Sequence, residues 1–195
     1  MRRLHLDGVP PTHGLARVHH EQDNDHEWQT VRAICPELAH GEGKRALYVG
    51  ASRWRAFLLP DLLRGGYKTD VLEIDEGNCR EIARLFPECR VVRGDISQQL
   101  RFPNYDLVLL IHVLEHCPEA DAIAILSLLQ RSCGAILCAC PVDQETLDGP
   151  AYGNERESHL WSVPSGWFAE RGFFETSTGD DRVTAIWRRD RARSV

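Results

Sequence analysis

The stretch Ala46-Leu47-Tyr48-Val49-Gly50-Ala51-Ser52-Arg53 decides the fold. Apolar residues of strand character end on a glycine, and small and polar residues follow it. A glycine at such a junction lets the backbone turn sharply and lets a ligand come close to the main chain, where a side chain would collide. Downstream, Val71-Leu72-Glu73-Ile74-Asp75 reads as a second strand that ends in acid. Strand, glycine turn, helix, strand, carboxylate is the order in which an open parallel sheet holds a nucleoside at its edge.

The alternation continues along the chain from Lys44. Strands are expected at 45–50, 69–73, 89–92, 105–111 and 134–140. The run from Tyr105 to Ile111 is apolar almost throughout, as in a strand buried on both faces. Helices are expected at 53–64, where Pro60 must start a turn or kink the chain, and at 76–86, which Pro87 terminates. Another should open at Pro118-Glu119 and turn Ile123, Leu126 and Leu129 inward. A long loop, 141–158, precedes a short helix near 164–171 and two closing strands, 173–178 and 182–188. With no helix between them, these last strands should pair antiparallel through Gly179-Asp180-Asp181. The pattern predicts an α/β protein with a doubly wound, mostly parallel seven-stranded sheet and an antiparallel C-terminal strand. Upstream, Asp25 could cap a helix carrying Trp28, Val31, Ile34, Cys35 and Leu38 on one face. Residues 1–40 read as an N-terminal arm and helix, in the position of a lid, and 41–195 as the main domain.

Composition narrows the function. At 195 residues and 43% hydrophobic content, the chain can bury one substantial core. No apolar run approaches the roughly 18 residues that span a bilayer. Net charge is -6, so nothing pulls the whole chain toward nucleic acid. The basic Met1-Arg2-Arg3 start lacks the apolar segment of a signal peptide. The seven cysteines form no CxxC pair, and an odd number does not suit a secreted disulfide framework. Reduced thiols in a cytoplasmic protein are the expectation.

On these residues the chain resembles the class I S-adenosylmethionine-dependent methyltransferases, over about 44–188. Leu47-Tyr48-Val49-Gly50-Ala51-Ser52 resembles the first motif of that family, and Val71-Leu72-Glu73-Ile74-Asp75 the second. Arg93-Gly94-Asp95-Ile96 resembles the third. Tyr105-Asp106-Leu107-Val108 through His112-Val113-Leu114-Glu115-His116 resembles the fourth, and is the sharpest match. The first motif departs from the usual acid-x-Gly-x-Gly-x-Gly. Tyr48 stands at the acid position, and Ser52 and Trp54 at the second and third glycines.

The resemblance implies a Rossmann-like fold, S-adenosylmethionine as cofactor, and methyl transfer to an oxygen or nitrogen of a small-molecule acceptor. It assigns the cofactor to Gly50, Ala51, Glu73, Asp95, Ile96 and Ile111. The glycine turn would offer close approach and main-chain amides to the amino-acid tail. Glu73 would accept from both ribose hydroxyls, with Asp75 as its rival or as the cap of the next helix. Asp95 and the Ile96 amide would face the adenine, and Leu110 and Ile111 would wall it. His112 and His159 are the candidate catalytic bases. Trp28 and Trp161 could close an acceptor pocket or could be core.

Other readings remain open. Tyr48, Ser52 and Trp54 suit a non-catalytic cofactor-binding or scaffold protein on the same fold. His112-Val113-Leu114-Glu115-His116 also spells the H-x-x-E-H of some zinc peptidases, a reading that needs both histidines on one helix. Strand-like residues run directly into His112, which argues against that helix. Some metal-dependent O-methyltransferases resembling this class bind a divalent ion through an acid-x-x-Glu-His phrase and a distant histidine. His112, Glu115, His116 and His159 could imitate that set, although the primary expectation is no metal.

Overall fold

The computed structural model describes residues 28–52, 58–99, 101–145, 149, 155–177 and 181–190. The arm at 1–24, Trp54 and the Gly179-Asp180 part of the last turn lie outside these residues. The strands are β1 (Arg45–Val49), β2 (Lys68–Glu73), β3 (Arg90–Arg93), β4 (Tyr105–Ile111), β5 (Cys133–Pro141), β6 (Phe174–Ser177) and β7 (Arg182–Arg188). The helices are α1 (helical at 28–34), α2 (Leu59–Arg64), α3 (Glu76–Leu85) and α4 (Glu119–Ser132). Pro60 sits in the first turn of α2, where its missing N–H costs nothing.

One seven-stranded sheet runs in the order β3-β2-β1-β4-β5-β7-β6. The pairs from β3 to β5 are parallel, and β7 lies antiparallel between β5 and β6. The chain walks outward from β1 to β3, then returns to β4 on the other side of β1. That reversal is the switch point at which doubly wound sheets open a crevice.

Side chains alternate across the sheet, so both faces need covering. Leu47, Val49, Leu72, Val108 and Leu110 pack with α4 residues Ala122, Ile125, Leu126 and Leu129, and with Trp167, Phe168 and Phe173. Tyr48, Val71, Leu107, Leu109 and Ile111 pack on the opposite face with Trp28, Val31, Leu59, Leu62 and Ile82. Residues 28–38 therefore belong to the core of the sheet's second face, with Trp28, Val31, Cys35 and Leu38 buried.

Two local expectations change. The inner face of α4 is Ala122, Ile125, Leu126 and Leu129, spaced as one helical stripe, while Ile123 lies one residue round from Ala122 and is exposed. Residues 164–171 form turns and a short 3₁₀ segment (Ala169–Arg171) in place of a helix. Gly166, at φ 83°, occupies the left-handed region and breaks the helical run.

All seven cysteines are free thiols. No described helix is long and apolar enough to cross a membrane.

Candidate active site

A cleft of about 340 Å³ opens at the carboxyl ends of β1, β2 and β4, at the switch point. Its floor begins at Gly50. This residue has φ 65°, and a Cβ there would lie 2.9 Å from Val113 Cγ2. The turn is tight, with the Gly50 N–H donating to Leu72 O at 2.9 Å and the Ser52 N–H to Gly50 O at 2.8 Å. Both amides are thus committed inside the protein. The turn's contribution is close approach, rather than these two donors for a ligand carboxylate.

At the end of β2, Glu73 lines the cleft and is 4% exposed. Its Oε1 accepts from the Asp75 N–H at 2.8 Å. Burial pushes the carboxyl above the ordinary glutamate range, against the opposing pull of that N–H and of the Asn78 side chain. Asp75 caps α3 by accepting from the Asn78 N–H at 2.8 Å. The rivalry on this strand is thereby divided between a cap and a buried acid facing the cleft. Asp95 also lines the cleft, with Oδ1 accepting from the N–H and hydroxyl of Ser97 at 2.9 and 2.7 Å. Ile96, which follows it, is another lining residue.

Ala51 and Ile111 were expected at the cofactor, and neither is a lining residue of the cleft. Both are fully buried in the cluster on the far face of the sheet. Strand alternation explains Ile111, because a wall residue on β4 must point to one face or the other. Leu110 points to the opposite face and is likewise consumed by the core. Tyr48, at the family's acid position, packs on the far face with Ile111. Trp28 is core, and the Trp161 indole donates to Leu114 O at 3.0 Å and packs 5.1 Å from Trp167. Neither tryptophan lines the cleft.

The fourth motif turns as soon as its strand ends. His112 has φ 52°, a left-handed conformation uncommon outside glycine, and its N–H donates to Ala139 O at 2.8 Å. A 3₁₀ turn over Leu114–His116 follows. His112 and His116 therefore do not share a helix, and the zinc-peptidase geometry is absent. His112 lines the cleft, and its Nδ1 lies 3.1 Å from Oε1 of the fully buried Glu115.

His116 also lines the cleft, with Nδ1 3.1 Å from Ser158 O. His159 is not a lining residue, and its Nδ1 lies 2.7 Å from Gln144 Oε1. The loop that carries it is pinned to the fourth motif, the Leu160 N–H donating to Glu115 O at 2.8 Å. Cys117 is on the cleft wall too, its thiol pushed to about 12 by burial, so it is no nucleophile near neutrality.

Sequence reasoning missed Asp121, on the first turn of α4, and Gln144, which holds His159 from fifteen residues away. Asp121 follows Pro118 at the spacing of a first helical turn, a weak signal. Nothing in the sequence around Gln144 marks it.

Neither a protein-family model nor a curated protein sequence matches the chain. Solved structures do. DhpI in complex with SAH has a TM-score of 0.69 and 13% identity, over 89% of this chain and 87% of that one. A SAM-dependent methyltransferase from Leishmania major gives 0.64 and 19%, over 87% and 73%. Magnesium protoporphyrin IX methyltransferase from Synechocystis PCC 6803, with bound SAH, gives 0.59 and 14%, over 86% and 82%. With its strand order, its antiparallel β7 and its cleft at the switch point, the chain has the fold of the class I S-adenosylmethionine-dependent methyltransferases.

Proposed function

We infer that the protein binds S-adenosylmethionine in this cleft and transfers its methyl group to an oxygen or nitrogen of a small-molecule acceptor. The observation that carries the reading is Glu73, a buried carboxylate at the end of β2 beside the Gly50 turn. A buried acid with a raised pKa is costly unless a ligand uses it. A ribose diol supplies two hydroxyl donors to such a group. The Gly50 turn supports the same reading, because the glycine puts no side chain of its own between the backbone and the cleft that it lines. Among the described residues, Glu73, Asp75, Asp95, Asp121, Glu155 and Glu157 line the cleft with one guanidinium, Arg156. An acid-rich wall favours a cationic ligand, and a sulfonium is one. The likeness to SAH-bound structures of the same fold adds to this.

When bound, the cofactor supplies both the methyl group and the sulfur leaving group. The chain then has to position the acceptor in line and take its proton. His112 stands in the cleft for that proton, and Glu115 orients its ring as the carboxylate of a dyad does. Asp121 and the segment 155–158 line the remaining wall, where the acceptor would rest.

Calorimetric titration of the full chain with S-adenosylmethionine and S-adenosylhomocysteine tests the reading. Saturable binding is expected, and its absence at millimolar ligand would refute it. Tight binding of both ligands, with no methyl transfer to any hydroxyl or amine in an acceptor panel, would favour the non-catalytic alternative.

A further inference from the structure

We propose that Leu160 is a specificity-determining contact of the cleft, and that the acceptor carries its hydroxyl or amine on an apolar body free of anionic groups. The proposal rests on the methyl-transfer reading above and names the acceptor class that the reading leaves open. Among the described residues, Val92, Ile123, Leu160 and Phe174 are the large apolar side chains left exposed. Leu160 is the most exposed of them, at 53%, and of the four it is the one that lines the cleft. A leucine on an open surface is ordinary. A leucine held rigidly in a cleft wall is apolar area that a ligand can remove from water, to the gain of the complex.

The backbone fixes Leu160 in that position. Its N–H donates to Glu115 O at 2.8 Å, and the next side chain, Trp161, donates to Leu114 O at 3.0 Å. On the other side, Ser158 O lies 3.1 Å from His116 Nδ1. Further along, the Gln144 N–H donates to Ser162 Oγ at 2.7 Å, and Val163 forms a bridge with Val142 beside the end of β5. Trp161 packs its ring on the core cluster, and Leu160 is left at the cleft.

This placement couples the leucine to the chemistry. Glu115 accepts the Leu160 N–H through its carbonyl, and its carboxylate lies 3.1 Å from His112 Nδ1. One residue thus holds both the base and the leucine, and both of these line the same cleft. An acceptor that gives its proton to His112 lays the rest of its surface along the wall that Leu160 forms. Charge narrows the class further. Asp121, Glu155 and Glu157 line the cleft as well, and they repel carboxylates and phosphates. A polyol fares no better, because hydroxyls turned toward a leucine lose water without gaining a partner. A phenol or an arylalkylamine meets both conditions, with one polar atom at the base and carbon elsewhere.

The test is calorimetric titration of the full chain, saturated with S-adenosylhomocysteine. The probes are phenol and 4-propylphenol, benzylamine and 4-propylbenzylamine, and sorbitol. In at least one pair the propyl compound should bind about tenfold or more tightly than its parent, since each buried carbon is worth about threefold. The pair that shows this advantage names the reacting group. Leu160→Ala should cut the advantage to about threefold or less, and Leu160→Asn, of similar size, should abolish it. S-adenosylhomocysteine affinity and circular dichroism should be unchanged in both variants. An advantage that is absent, or equal in the parent and in Leu160→Ala, overturns the proposal, as does tighter binding of sorbitol. So does a dimer in sedimentation equilibrium that Leu160→Ala dissolves, because it gives the leucine to a second copy of the chain. In each of these cases S-adenosylhomocysteine binding leaves the methyl-transfer reading standing. A chain that binds no S-adenosylhomocysteine refutes that reading and this proposal together.

Discussion

Asp70 and Glu73 sit three residues apart on β2, both nearly buried, and their surroundings differ completely. Asp70 lies toward the amino end of the sheet. Arg90 reaches it with two nitrogens at 3.2 and 2.9 Å, Arg45 at 2.8 Å and the Tyr105 hydroxyl at 2.7 Å. Burial alone would raise its pKa, but these hydrogen bonds outweigh burial and hold the carboxyl below the ordinary aspartate value. The Tyr105 phenol is pushed up to about 12 in return, by burial first and then by Asp70. Glu73 at the cleft end has no such ring of cations among the described residues, and its pKa moves the other way. The same strand therefore carries one acid spent on the fold and one that the proposed function gives to a ligand. Burial alone does not separate them; the partners do.

Substitution at the cleft end should break the contrast most sharply. Glu73→Ala should lower S-adenosylhomocysteine affinity by about 100-fold, the loss of two hydrogen bonds to a charged group. Its unfolding midpoint should stay near that of the parent, and a collapse of stability with unaltered affinity would invert the assignment. At the other end, Asp70→Asn should cost about 2 kcal/mol in denaturant unfolding, since it strands Arg90 and Arg45. Cofactor affinity should be unchanged in that variant.

Acid should separate the two carboxylates without mutation. The raised Glu73 pKa means that this group protonates first as pH falls, and cofactor affinity should then drop about tenfold per unit. The depressed Asp70 pKa means that its stabilisation is complete above the ordinary aspartate value. That stabilisation is lost only as pH falls through the lower folded value. Binding should thus fail before folding does, as measured by calorimetry and circular dichroism on the same samples. The smallest effect belongs to Gly50→Ala. The left-handed backbone and the nearby Val113 methyl should cost about 1 kcal/mol and weaken cofactor binding several-fold. Gly50 is tied to Leu72, one residue from Glu73, so the network around Asp70 should not respond.

Much of this was legible in the sequence, for identifiable reasons. Strand and helix positions followed from apolar runs cut by Gly65-Gly66 and Pro87, because parallel strands buried on both faces leave an unmistakable pattern. Glu73 and Asp75 could be placed because strand ends and helix caps have local grammar. Ala51 and Ile111 were expected at the cofactor and pack on the far face; for Ile111, the core face of a doubly buried strand cannot be told from its other face by apolarity. His116 and His159 were grouped from the sequence, but the contact of His159 with Gln144 was invisible, since nothing around Gln144 marks it. The turn at 164–171 was read as helix because its apolar spacing fits one, and Gly166 overrules it through its own conformation.

The stapling of Leu160 and Trp161 to the fourth motif divides the loop into a fixed heel and a projecting toe. Residues 155–157 form the toe, half-exposed or exposed at the rim of the cleft. Change there can reshape the entrance without passing strain to the sheet, since the staples absorb it. On the proposed function, acceptor preference is therefore a readily evolvable property of this architecture, open to randomised libraries at those positions while the foundation stays constant.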